Sequence, residues 1–296
     1  MARVKMGSSV TGHMPIWRYI SLDKLVNLLE TESLYFTPLS LYEKSDPFEG
    51  YMPKVGLEAL ANLLGASDDK LEHIHEQLKI MSENSRNAGI NNPNGEELLK
   101  QFRIKLDAQK ELSKEIYKKT TKGITVNCWH YNLSESEAMW KLYSENGKGL
   151  AIKTSIASLK SSIESIEQDL LVHIGRVKYL DFYDENITPK DCVTDGHLSP
   201  LLKRASFSHE NEIRLFTVPD IEYESLHEFE PTAKSVKIST NKLIEQIYIS
   251  PYAGEPFSSS AIAICKKYGI NPELIIESKL LSGHQELLDI LATRKI

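Results

Sequence analysis

The sequence predicts an α+β fold: a mixed, largely antiparallel sheet with flanking helices and an inserted helical hairpin. Three observations carry this. Short apolar runs recur through the second half at spacings that suit hairpins better than βαβ crossovers. A block over 57–120 is charged and periodic at helical spacing. No internal repeat or clean linker divides the 296 residues, so residues 14–296 read as a single domain carrying that block as an insertion.

The elements follow in order. Residues 1–13 contain Gly and Ser and lack an apolar run, so they are expected to be a disordered or artificial lead. Ile16-Trp17-Arg18-Tyr19 reads as a short strand. Ser21 is an N-cap residue for a helix from Leu22 to Glu30, with Leu22, Leu25, Val26 and Leu29 on one face. Leu34-Tyr35-Phe36 is a second strand, stopped by Pro38. The Asp46-Pro47 step and Gly50 mark a defined turn over 45–50. Within 57–120, Leu71, Ile74, Leu78 and Met81 form one helical stripe and Leu98, Phe102 and Leu106 another. The break between them falls at Asn91-Asn92-Pro93-Asn94-Gly95. This hairpin is either a scaffold over a sheet edge or a lid. Ser134 and Glu137 make a capping-box pattern for a helix through Ser144, closed by Gly147. Major strands are expected at 124–129, 149–154, 177–181, 207–216 and 243–249. The last of these, a helix over 258–268 and a strand over 273–278 form a closing β-α-β unit.

Composition excludes several classes. A net charge of −6 argues against a broad duplex-DNA surface, which needs a basic face. No apolar run approaches the roughly 18 residues of a membrane span, and no secretory signal is visible. Cys128, Cys192 and Cys265 lie far apart and are odd in number, which suits a reducing, cytoplasmic compartment. No metal is expected: there is no HExxH motif, and His73 and His75 lie two apart on a helix, so they do not share a face. Neither a GxGxxG fingerprint nor a Walker loop is present.

Two features carry chemistry. On a strand over 207–216, alternation puts Phe207, Ile213 and Leu215 on one face and Ser208, Glu210, Glu212 and Arg214 on the other. Two carboxylates at i and i+2 repel and call for a cation or a hydrogen-bonding ligand. Such a pair can bind ribose hydroxyls and stabilise an oxocarbenium-like centre; it can also be a solvated polar face. Arg18 points away from Trp17 and Tyr19. Its planar fork suits a pyrophosphate or an ion pair with Asp46, Glu49 or a late glutamate. Trp129, Trp140 and Tyr143 can form an aromatic wall, Trp140 and Tyr143 sharing a helix face, or simply belong to the core. Lys203 and Arg204 at a strand entrance can meet phosphates or form a solvated pair.

Several strings also occur together in order. They are Trp17-Arg18-Tyr19, Leu34-Tyr35-Phe36, Asp46-Pro47-Phe48-Glu49-Gly50, Asn127-Cys128-Trp129-His130, the run Glu135 to Tyr143, Gly149-Leu150-Ala151-Ile152, and Lys203-Arg204 followed by Phe207 to Arg214. In this order the chain resembles the bacterial family catalogued as domain of unknown function 2971, over Ile16 to Ser278. The resemblance implies a cytoplasmic bacterial protein, and members are suspected of phage-defence roles, in which this chain would act as a toxin. The element order is also similar to ADP-ribosyltransferase-like folds, with Arg18 at the early-strand position and Glu210-Asn211-Glu212 at the late Glu-x-Glu position. Tyr35 or the Thr154-Ser155 pair would fill the middle position. This likeness implies an NAD-dependent ADP-ribosyltransferase or NAD glycohydrolase, with NAD as the nucleotide substrate and a protein or RNA acceptor. Arg18 would hold the pyrophosphate or nicotinamide ribose, and Glu212 the 2′-hydroxyl and the developing positive charge. Glu210 would serve the acceptor, and Trp140 or Tyr143 would stack on the nicotinamide. The alternative is a non-enzymatic binding or sensor module of a bacterial defence system, using the same face.

Overall fold

The computed structural model describes residues 2–63, 68–89, 95–221, 223–281, 283–284 and 288–290. In chain order its strands and helices are β1 (Arg3–Met6), β2 (Pro15–Ile20), α1 (Leu22–Thr31), β3 (Ser33–Pro38), α2 (Lys54–Leu63), α3 (Asp68–Asn87), α4 (Gly95–Gly123), β4 (Thr125–Tyr131), α5 (Glu137–Tyr143), β5 (Leu150–Ser155), α6 (Ile156–Glu164), β6 (Leu171–Arg176), β7 (Lys178–Leu180), β8 (Leu202–Arg204), β9 (Glu212–Thr217), β10 (Lys234–Lys237), α7 (Thr240–Leu243), β11 (Gln246–Ile249), α8 (Phe257–Lys267) and β12 (Ile275–Glu277). No helix among the described residues is long and apolar enough to cross a membrane.

The fold is α+β. Its main sheet runs β1-β6-β9-β4-β2-β5-β11-β12, with β3 paired to β4 and β10 to β3. Pairing is antiparallel except for β1 with β6 and β11 with β12. β7 and β8 form a separate parallel pair. One face of the sheet is covered by α1, α6 and α8, whose Leu25, Leu28, Ile156, Leu159, Ala261 and Cys265 pack into the main core. The N-terminal half of that helical layer follows from local signals. α1 places Leu25, Leu28 and Leu29 inward at helical spacing. Ser155 accepts from the Ser158 amide to start α6. On the opposite face, Trp17, Tyr19, Met139, Trp140 and Ala151 form a smaller cluster beneath α5.

β9 is the central positioning element. All six of its residues are buried. Ile213 and Leu215 join the main core, while Glu212, Arg214 and Phe216 leave the sheet on the other side by strand alternation. This agrees with the expected facing of Glu212 and Ile213. The strand is shorter than expected, however. Residues Ala205–Glu210 form a 3-10 turn that ends at Asn211 with φ 42°. The alternation of polar and apolar residues over 207–211 mimics a strand, but the left-handed Asn211 ends it.

Other differences have equally local causes. Residues 3–6, expected within a disordered lead, form β1, whose Val4 is buried against β6. The sheet strand near 177–181 is β6, and only 178–180 are extended, in the small sheet. The strand expected over 243–249 is divided between the short helix α7 and β11. The helix cap lies at Ser136, which accepts from Met139, rather than at Ser134. The helical insertion comprises α2 as well as the α3–α4 hairpin, and it begins at Lys54. Ile74, Leu78, Met81 and Leu98 on it are exposed. The turn expected at Asn91–Gly95 lies outside the described residues except for Gly95 at the start of α4.

Because Ile213 has no exposed surface, Ile213→Ala should lower unfolding free energy by about 2–5 kcal/mol, through lost burial and a residual cavity. Denaturant titration with an unchanged m-value checks this.

Candidate functional site

The site begins with a fork in the sheet. One edge of β4 pairs with β9 from Thr125 to His130. Its other edge is shared: β3 pairs at Thr125 and Val126, and β2 at His130 and Tyr131. Among the described residues no strand pairs with Asn127, Cys128 or Trp129 on that side. The fork is held open by side chains. Asn127 donates to the Tyr35 carbonyl at 2.9 Å, and its Oδ1 accepts from Trp129 Nε1 at 2.7 Å. A cavity of about 570 Å³ occupies the gap, a size that suits a nucleotide-like ligand.

The acidic end of the cavity is a buried ion network. Arg214 bonds Glu212 at 2.6 Å and Glu49 at 2.8 Å, and donates to the Pro200 carbonyl at 2.9 Å. Lys203 pairs with Glu210 directly and lies 3.4 Å from Glu212 and 3.5 Å from Glu49. Three carboxylates therefore meet two cations. Burial alone would raise the Glu212 carboxyl, but Arg214 and Lys203 outweigh it and hold that group below the usual carboxylate range. Burial and the neighbouring Glu212 charge instead raise Glu210, so Glu210 is where the network holds its proton. Burial would lower the Lys203 ammonium, but Glu212 and Glu49 raise it well above the ordinary lysine value and keep it charged. The two glutamates reach one lysine because the 3-10 turn and the Asn211 kink fold Glu210 back beside β9.

Arg18 lies at the middle of the cavity. It is half-buried, donates to the Cys128 carbonyl at 3.4 Å and sits 5.7 Å from the Trp129 ring centre. Among the described residues no carboxylate pairs with it, so the ion pairs considered for it with Asp46, Glu49 and the late glutamates are not formed. Asp46 pairs with Arg204 at 2.7 Å instead. Burial lowers the Arg18 pKa from its ordinary value, the signature of a cation lacking a counter-ion.

Arg18, Tyr35, Tyr143, Glu210 and Glu212 thus line one cavity. The remaining candidates do not. Trp140 has no exposed surface; its indole donates to Glu135 at 2.9 Å and its ring packs edge-on to Tyr19. It cannot stack on a ligand. Thr154 is buried beside β2, and Ser155 is engaged by Ser158 and Glu245, so this pair does not supply the middle position. Tyr35 stays exposed at the rim. The Tyr143 phenol is pushed up to about 12 by burial and by Glu210 and Glu212.

Sequence reasoning missed His130 as a member of the site and gave Glu49 only as a possible ion-pair partner of Arg18. It also misread Lys203, which is buried within the network rather than solvated. His130 donates from Nδ1 to the Glu210 carbonyl at 2.6 Å, and its Nε2 has no partner among the described residues. Burial keeps it neutral by lowering its pKa. Among the described residues no group of three metal-ligating side chains is assembled. The arrangement can hold an anion at Arg18 and a hydroxyl-bearing or cationic group at Glu210.

The charge imbalance sets a pH dependence. A raised Glu210 favours the protonated folded state, so its stabilising contribution is present at low pH and is lost as pH rises through the folded value. Glu210→Gln removes that loss while keeping a hydrogen-bonding group for Lys203. Its thermal midpoint should gain on the wild type steadily from about pH 5 to about pH 8. Parallel melting curves at both ends of that range would place the excess charge elsewhere.

Comparison with protein-family models, curated proteins and solved structures finds no match for this chain, so its site is read from its own geometry.

Proposed function

We propose that the chain is an NAD-dependent ADP-ribosyltransferase or NAD glycohydrolase. The observation that carries this is the placement of Arg18, without a carboxylate partner, and the Glu210–Glu212 pair in one cavity. NAD has a matching charge pattern: a pyrophosphate between two riboses, one of which bears a cationic nicotinamide. Arg18 binds the pyrophosphate, and Tyr35 and Tyr143 flank the reacting half.

The roles of the two glutamates differ from the sequence expectation. Glu212 has its oxygens committed to Arg214 and Lys203, so it acts as a fixed charge that tunes Glu210. Glu210 is the carboxylate that meets the ribose. In the reaction the bond from ribose C1′ to the nicotinamide nitrogen breaks and its electron pair stays with nicotinamide, neutralising the ring. Glu210 acts in its ionised form, its proton having passed to solvent as the cationic nicotinamide ribose binds, and stabilises the positive charge left on the ribose. Water or an acceptor nucleophile then forms a bond to C1′, and its proton passes to Glu210.

One observation favours a second reading. The Glu212 ion pairs are those of a structural network, which suits a sensor that binds a nucleotide without cleaving it, as in a defence module. The same experiment separates the two. Purified protein is incubated with NAD, with and without cell extract as a source of acceptor. Nicotinamide is then quantified by chromatography.

Wild type should release nicotinamide, and Glu210→Gln should lower the rate by roughly 100-fold. Arg18→Ala should weaken NAD binding as well as turnover, because it removes a contact made already in the ground state. Calorimetric NAD binding without release would establish the sensor. Absence of both binding and release would overturn the nucleotide reading.

A further inference from the structure

The cavity is not confined to one side of the sheet. Trp17 pairs with His130 and His130 with Glu212, so these side chains leave the sheet on one face. Arg18 alternates with Trp17 and Tyr19, and so emerges on the other face with Ile16 and Ile20, against which α1 packs through Leu25, Leu28 and Leu29. Yet one cavity is lined by Lys24, Asn27 and Leu28 of α1 and also by Tyr143, Glu210 and Glu212. It crosses the sheet, and it can do so only where β4 lacks a neighbour, beside Cys128.

The main chain at that crossing is polar. The Cys128 carbonyl accepts from Arg18 on the open edge, while the Tyr131 amide bonds to Asn211 on the closed one. The N–H and C=O of one strand residue point to the same edge, so the Cys128 amide is turned into the gap beside the guanidinium. A guanidinium and a sheet-edge amide together make an anion seat. The two mouths of the gap differ in charge, with Lys24 and Asn27 at one and the Glu210 network at the other.

Building on the nucleotide reading above, we propose that the fork is a slot that a dinucleotide crosses. Its pyrophosphate rests between Arg18 and the Cys128 amide. The reacting ribose lies on the Glu210 face, and the adenosine half lies on the α1 face against Lys24 and Asn27. The two halves of the ligand are thereby read by opposite sides of one sheet. A mononucleotide fills only one of them.

The test uses the full chain and an NAD analogue carrying a photoreactive azide on adenine, with labelled peptides mapped after irradiation. Label that unmodified NAD competes away should fall within residues 21–30. Lys24→Glu alters an exposed side chain, so it leaves the fold intact, and it should weaken NAD competition at least about tenfold. Competed label within 137–143 or 203–210 would place adenine on the acidic face and overturn the slot, even where nicotinamide release continues. Unchanged competition in Lys24→Glu would overturn it as well. Absence of any competed label would overturn the slot and the nucleotide reading together.

Discussion

Arg214 sits mid-strand in β9 with 1% of its surface exposed, and its terminal nitrogens reach three separate stretches of chain. It binds Glu49 in the turn before α2, the carbonyl of Pro200 ahead of β8, and Glu212 on its own strand. A planar fork of donors spread over two terminal nitrogens serves these acceptors in fixed directions. Breaking a buried pair of this kind costs about 3–5 kcal/mol, because the carboxylates left behind remain desolvated. The face of the sheet opposite the main helices is therefore organised by polar contacts as much as by packing. The cavity walls on that side are set by where this guanidinium holds them.

The same network constrains what chemistry the neighbouring groups can do. Two cations cannot neutralise three carboxylates, so the network relieves its excess negative charge by raising the proton affinity of Glu210, its most exposed carboxylate. Cys128 lies close by, but burial and the Glu212 charge push its thiol up to about 12, which removes it as a nucleophile. Burial lowers the pKa of His130, and its Nδ1–H fixes the backbone of Glu210. Of the titratable groups around the acidic end, Glu210 is thus poised to change state near neutrality.

Much of this arrangement was legible in the residues. The facing of Ile213 and Glu212 follows from strand parity, and the burial of Leu25 and Leu29 from helical spacing. Arg18 opposite Trp17 and Tyr19 follows in the same way. What parity could not disclose is where a strand stops. Residues 207–211 keep the alternation of β9, yet the chain turns there because Asn211 accepts a left-handed conformation. Trp140 and Tyr143 share a helix face, but α5 is short and tilts one ring under Tyr19 while the other stays at the rim. Glu49 and Lys203 were hidden for a different reason. The partners of Glu49 lie on β8 and β9, remote in sequence, and an ion network across such distances leaves no periodic trace; Lys203 meets both Glu210 and Glu212 only because the 3-10 turn folds Glu210 back beside β9. The fork itself is invisible to any local pattern, because it is a property of which strands fail to pair.

The pairing of β1 with β6 has a consequence for how the chain assembles. Arg3 is aligned with Leu171, and the next strand, β2, finds its longest partner in β5. β1 therefore cannot join the sheet until β6, far along the chain, is available. Contacts so distant along the chain carry a large loop-closure cost and slow the search for the native topology. The α2–α4 insertion lies between these partners in sequence, so it lengthens the loop that must close. The β1 edge of the sheet is thus completed late, and until then β6 presents an unpaired edge that needs protection from self-association.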